Sequence, residues 1–131
     1  MQENIDNLLK KIDSLMLVIG RSKYTQEMLD YYEKKLNKIL PSDYKKTLLH
    51  GDIDKGTFHF IEPYLSDSSD DHIAFASWNN DVFLFDTTDP ASDYPVLVHV
   101  PGTSSPEKKY ANFLEWFTVV VNSISSVNNP D

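Results

Sequence analysis

Histidines and carboxylates are the residues through which this sequence could do chemistry. The chain has four histidines, 20 Asp and Glu residues and no cysteine, which excludes disulfides, thiolate metal sites and thiol catalysis. His59 and His99 lie in predicted strands and could face each other across a sheet. Two histidines and a carboxylate can bind a divalent metal, but this spacing gives such a site no specific support. We therefore interpret both residues as ordinary strand histidines.

Motifs for phosphate binding and for nucleophilic or zinc-dependent hydrolysis are absent from the sequence. Its four glycines are too few and too scattered for a glycine-rich phosphate loop. The chain also contains neither a G-x-S-x-G nucleophile elbow nor an H-E-x-x-H helix. A carboxylate pair for acid–base catalysis depends on separation in space, so an enzyme assembled from scattered carboxylates and histidines stays the least favoured alternative. The prediction is a non-enzymatic protein without metal or cofactor.

Two predicted loops are rich in aspartate, and they are the strongest candidates for a binding surface. The first, Ser66–Asp71, contains Asp67, Asp70 and Asp71, and the second, Asp86–Pro95, contains Asp86, Asp89 and Asp93. Neither loop matches the calcium-binding template with its glycine and distal glutamate. Solvated turns are the first interpretation, a contact surface for a basic protein the second, and a metal site the third.

The charge distribution favours a protein partner over a nucleic acid. The net charge is −8, and from Gly56 to Glu107 the sequence has nine carboxylates without a single Lys or Arg. Such a block repels polyanions and attracts basic protein surfaces. The sequence shows neither a membrane-spanning apolar run nor an export signal, so a soluble, cytoplasmic domain without membrane contact is expected.

Helical periodicity dominates the first fifty residues. Asn4–Ile19 carries apolar residues at helical spacing, and Gly20 is expected to end that helix. Thr25 is expected to cap a second helix that ends before Pro41. A third, short helix is predicted at about Ser42–His50, with Pro41 in its first turn.

The remainder predicts strands followed by one helix. Alternating or β-branched segments are Thr57–Ile61, Ile73–Trp78, Val82–Asp86 and Val96–Val100. Asn79-Asn80-Asp81 is typical of a tight turn between two of these strands. Ser104 and Glu107 have the spacing of a capping box that begins a final amphipathic helix. The predicted fold class is α+β: N-terminal helices, an antiparallel meander of about four or more strands, and a C-terminal helix packed on one face of the sheet.

Part of this pattern resembles the SUKH superfamily (Smi/Knr-like proteins). The resemblance lies in Glu33-Lys34-Lys35-Leu36, Ile39-Leu40-Pro41 and Asp43-Tyr44-Lys45-Lys46, and then in Asn80–Asp86, Pro95–Val98 and the Phe113-Leu114 helix with Phe117. It covers residues 25–124 of a single domain, 1–131. The glycine that the family has before its acidic strand is replaced here by Asn79-Asn80.

The resemblance implies an immunity protein that binds and neutralises a cognate toxin domain, often a basic nuclease. The alternative is a regulatory or scaffolding module with the same fold. Oligomeric state is left open. From charge and loop position, the predicted partner-binding residues are Asp67, Asp70, Asp71, Trp78, Asp81, Asp86, Asp89 and Asp93.

Overall fold

The computed structural model describes the chain over residues 4–16, 18–20, 22–55, 58–66, 69–88, 94–102 and 106–128. Within these ranges it forms four helices and seven strands. The helices are α1 (Ile5–Ser14), α2 (Gln26–Leu36), α3 (Ser42–His50) and α4 (Phe113–Asn128). The strands are β1 (Val18–Gly20), β2 (Asp52–Lys55), β3 (Phe58–Ser66), β4 (Ser69–Trp78), β5 (Asp81–Asp86), β6 (Val96–His99) and β7 (Glu107–Tyr110).

The strands form one sheet in which each strand pairs antiparallel with its neighbour in sequence, in the order β1 to β7. The large hydrophobic core is shared by the four helices and one face of this sheet. The expected α+β fold, with an antiparallel meander and a C-terminal helix on the sheet, is therefore confirmed.

Local signals predicted several boundaries correctly. The Thr25 hydroxyl accepts a hydrogen bond from the Met28 N–H at 3.2 Å and caps α2. Asn79 and Asn80 have φ angles of 52° and 72° and form the two-residue turn between β4 and β5. Such a turn needs positive φ at both central residues, which asparagine tolerates.

The first helix is shorter than its periodicity predicts, so the expected end at Gly20 is wrong. It stops at Ser14, and Met16 adopts a left-handed conformation with φ 59°. Val18–Gly20 instead forms β1, in which Val18 pairs with Ile53 of β2. A pairing partner more than thirty residues away cannot be inferred from local periodicity.

Two predicted limits of the third and fourth strands are also wrong. Pro63 lies inside β3, where the register against β4 shifts between Phe60 and Tyr64. Proline is tolerated at such an irregularity because the backbone there does not need to donate a ladder hydrogen bond. Ladder pairing continues to Ser66 and Ser69, so most of the expected polar loop Ser66–Asp71 belongs to the two strands.

The predicted capping box at Ser104 and Glu107 does not begin the last helix. Glu107 starts β7, an edge strand in which Lys108 pairs with Leu97, and Ser104 lies outside the described residues. Helix α4 begins later, where the Asn112 side chain accepts a hydrogen bond from the Glu115 N–H at 2.9 Å.

Aromatic packing holds the helices to the sheet. Tyr44 of α3 is fully buried, with its ring centroid 5.2 Å from that of Phe85, 5.5 Å from that of Phe75 and 5.7 Å from that of Phe113. The Tyr44 hydroxyl has no hydrogen-bond partner in the described part of the chain. Trp116 of α4 is also buried.

Candidate functional site

The strand ends that flank the two aspartate-rich segments of the sequence lie at one end of the sheet. The β3–β4 and β5–β6 connections leave this end, because successive connections in a meander alternate between ends. His72 is the ladder partner of Asp86, and the Thr87 N–H donates to the Asp71 carbonyl at 2.8 Å. We call this part of the sheet the acidic end, and it consists of Asp71, His72, Asp86, Thr87 and Thr88.

The structure describes only part of the predicted aspartate set. Asp67, Asp89 and Asp93 lie outside the described residues. Asp70 belongs to β4, but its side chain is outside the description. Chain connectivity alone therefore relates these four residues to the acidic end.

The two described aspartates at this end differ in their surroundings. The Asp71 side chain is 51% exposed, and one of its oxygens lies 3.6 Å from the Lys38 Nζ. An exposed pair of this kind contributes less than about 1 kcal/mol to stability. Asp86 Oδ1 instead accepts hydrogen bonds from the Thr88 N–H at 3.0 Å and the Thr88 hydroxyl at 2.6 Å. Asp71 is therefore half exposed to solvent, whereas Asp86 organises its own turn.

The Leu40–Pro41 turn (residues 37–41) adjoins the acidic end and is held by side chains from three segments. Glu33 Oε2 accepts the Leu40 N–H at 2.7 Å and lies 3.0 Å from the Lys45 Nζ. The Tyr94 hydroxyl donates to the Ile39 carbonyl at 2.7 Å. Since Tyr94 lies two residues before β6, this bond ties the turn to the start of that strand.

Ile39 is presented to solvent by this fixed turn. Its side chain is 71% exposed, whereas Leu40 beside it is buried. Lys38, the preceding residue, reaches Asp71. The turn therefore presents an exposed apolar side chain next to the lysine that pairs with Asp71. Sequence reasoning missed this, because an isoleucine before Leu-Pro is expected to be buried and no local signal marks its exposure.

Trp78 and Asp81 lie at the opposite end of the β4–β5 ladder, where they are ladder partners. Seven residues separate Trp78 from Asp71 along β4, which corresponds to roughly 23 Å at about 3.3 Å per residue. Trp78 is partly buried against Phe58, with ring centroids 6.2 Å apart. With Asp81 it lines a cleft of about 220 Å³. The described members of the predicted partner-binding set therefore lie at two ends of the sheet, Asp71 and Asp86 at one and Trp78 and Asp81 at the other.

The strand histidines are too far apart to share a metal ion. His59 pairs with Ser77, Ser77 with Val82, and Val82 with His99, so all four lie in one row on one face. Three strand spacings of about 4.8 Å separate the two histidines by roughly 14 Å. Among the described residues, no three His, Asp or Glu side chains cluster to hold a metal.

Comparisons with models of known protein families and with curated proteins gave no match for this chain. The resemblance to the SUKH superfamily therefore remains an expectation based on the quoted motifs. None of the helices in the described ranges has the length and apolar character needed to cross a membrane.

Proposed function

We propose that this chain is a non-enzymatic protein-binding domain that acts in the cytoplasm as an immunity protein. Its partner would be a basic toxin domain, which it binds and neutralises. The observation that carries the proposal is the position of Ile39, an exposed apolar residue on a fixed turn whose preceding residue, Lys38, reaches Asp71. The family resemblance supplies the toxin as the expected class of partner.

Charge supports a basic partner for this surface. The sequence from Gly56 to Glu107 has nine carboxylates and neither Lys nor Arg. The strand ends that flank the two aspartate-rich stretches of this segment lie at one end of the sheet. A negative surface of this kind accelerates association with a positive one and penalises partners of the same sign.

Ile39 supplies the apolar contact that charge alone cannot give. Interfaces gain most of their affinity from a few well-packed residues near their centre, surrounded by polar groups. The turn that carries Ile39 is already fixed by the Glu33 and Tyr94 hydrogen bonds. Little conformational entropy would then be lost when a partner covers this side chain.

The experiment that tests the proposal joins partner capture to a toxicity assay. The tagged full chain captures proteins from a lysate of the source cells at low and at high ionic strength. A captured basic protein is then expressed in a bacterial host, alone and together with the chain. We expect growth arrest with the partner alone and normal growth on co-expression.

Two results would overturn the toxin assignment. A captured partner that is harmless when expressed alone would favour the alternative, a regulatory or scaffolding module with the same fold. Failure to capture a basic protein at either ionic strength would contradict the proposed partner class.

A further inference from the structure

A lysine from the Leu40–Pro41 turn reaches the acidic end of the chain. The Lys38 Nζ lies 3.6 Å from an Asp71 oxygen, and the two side chains are 28% and 51% exposed. The sequence from Gly56 to Glu107, which contains Asp71, has neither Lys nor Arg of its own. The positive charge that meets Asp71 is therefore supplied from outside the acidic segment.

The end of helix α2 fixes the backbone of Lys38. The Lys38 N–H donates to the Glu33 carbonyl at 3.2 Å, and the Asn37 N–H donates to the Lys34 carbonyl at 3.3 Å. Together with the left-handed conformation of Asn37, these bonds form the Schellman pattern of a helix end. The position that Lys38 takes in this pattern is frequently apolar and packs against the helix. A lysine there departs from the local rule, and such departures are expected at functional positions.

The backbone of Asp71 is fixed on the other side of the pair. Its carbonyl accepts hydrogen bonds from the Thr87 N–H at 2.8 Å and from the Thr87 hydroxyl at 2.7 Å. Both members of the pair thus extend from backbone positions that the fold already holds. Bringing the two charges together therefore costs little backbone entropy.

The contact between Lys38 and Asp71 is nevertheless loose. Its 3.6 Å exceeds the 3.0 Å between the Lys45 Nζ and Glu33 Oε2, in the same part of the chain. Strong bonds from an ammonium to a carboxylate are about 2.7–2.9 Å long, so Lys38 attracts Asp71 without a full hydrogen bond. A half-exposed pair of this kind is weak, and another cation can replace Lys38 at Asp71.

We propose that Lys38 is an internal competitor at the acidic end. It pairs with Asp71 in the unbound chain, and a lysine or arginine of the basic partner displaces it. This inference rests on the proposed function, because it takes the acidic end as the contact surface. Lys38 would lower the affinity of this surface for basic proteins in general, so that binding requires a partner with a cation placed at Asp71.

The test uses acetyl-hexalysine amide as the probe, at low ionic strength. It is titrated into the isotope-labelled full chain and followed by amide chemical shifts, which we expect at Asp71 and Thr87. Lys38→Met removes the charge and keeps the apolar stem of the side chain. Lys34→Met is the matched control, since Lys34 is an exposed lysine of the same helix and the change in net charge is equal. Lys38→Met should bind the probe about two- to threefold more tightly than Lys34→Met, as the loss of a weak competing pair predicts.

A second background separates competition from a general effect of charge. In Asp71→Asn the group for which Lys38 competes is neutral, so Lys38→Met and Lys34→Met should then bind the probe equally. Equal binding of the two lysine variants with Asp71 present, weaker binding in Lys38→Met, or a gain that persists in Asp71→Asn would each overturn the proposal. Shifts at the acidic end with equal gains would contradict the role of Lys38 alone. Absence of shifts there would contradict the proposed contact surface as well.

Discussion

Glu33 Oε2 accepts a hydrogen bond from the Leu40 N–H at 2.7 Å, across the end of helix α2. Asn37 takes the left-handed conformation that ends the helix, with φ 56°. The chain then returns far enough for the carboxylate on the helix to meet the backbone of the turn. Lys45 of α3 lies against the same oxygen, so one carboxylate fixes both the turn and the following helix.

Removal of this carboxylate should destabilise the protein. In Glu33→Ala the partly buried Leu40 N–H loses its acceptor, which costs about 1–3 kcal/mol. Glu33→Gln keeps an oxygen at that place and should lose about half as much. Urea unfolding at neutral pH measures both variants. Equal stability of Glu33→Ala and the unsubstituted chain would show that the bond does not fix the turn.

Tyr44→Phe should stabilise the protein, because it removes a buried hydroxyl without a partner in the described residues. The expected gain in the free energy of unfolding is about 1–3 kcal/mol. A loss of stability would show that the hydroxyl has a partner.

Tyr44→Phe should also change how the stability of the protein depends on pH in alkaline solution. Burial, followed by the nearby Tyr24 and Tyr32 phenols, raises the pKa of Tyr44 well above its ordinary value of 10.0. The unfolded chain releases this proton near pH 10 and the native chain does not, so stability falls as pH rises above that value. Unfolding midpoints between about pH 8 and 11 should therefore decline less steeply in Tyr44→Phe. Parallel declines in both proteins would contradict this origin.

The Asn79-Asn80 turn gives a matched pair of substitutions. Asn80 has φ 72°, so Asn80→Ala should cost about 1–2 kcal/mol, because alanine is strained in the left-handed region. Asn80→Gly should cost nothing, since glycine adopts positive φ freely. Thermal unfolding compares the two variants, and an alanine variant as stable as the glycine variant would disprove the strain argument. The asparagines thus meet the positive-φ requirement of this turn.

Ile39→Asp should separate binding from folding. The side chain is 71% exposed, so its replacement should change the free energy of unfolding by less than about 0.5 kcal/mol. The same change should accelerate dissociation of a captured partner, because it places a charge in the apolar contact. Circular dichroism and surface plasmon resonance provide the two readouts. An unchanged dissociation rate would remove Ile39 from the interface.

Local sequence signals predicted the elements that depend on local chemistry. The Thr25 cap, the Asn79-Asn80 turn and the alternating strands β5 and β6 required only nearby residues. Strands β1 and β7 could not be predicted in this way, because short strands exist only through partners elsewhere in the chain. The pattern at Ser104 and Glu107 satisfies a capping rule locally, yet pairing of Lys108 with Leu97 prevails.

The candidate site was predictable only in part. The meander places the strand ends that flank the two aspartate-rich segments at one end of the sheet, but the same alternation puts the turn beside Trp78 and Asp81 at the other end. The exposure of Ile39 depends on bonds from Glu33 and Tyr94, which are 6 and 55 residues away. Periodicity contains no information about such contacts.

The most direct measurement compares the association rate of the captured partner with Asp71→Lys and with Asp81→Lys. Both substitutions change the net charge equally, but Asp71 lies at the acidic end and Asp81 at the opposite end of the ladder. We predict that Asp71→Lys slows association about tenfold at low salt, that added salt shrinks this difference, and that Asp81→Lys has a much smaller effect. Equal effects of the two substitutions, or a larger effect of Asp81→Lys, would contradict binding through the acidic end.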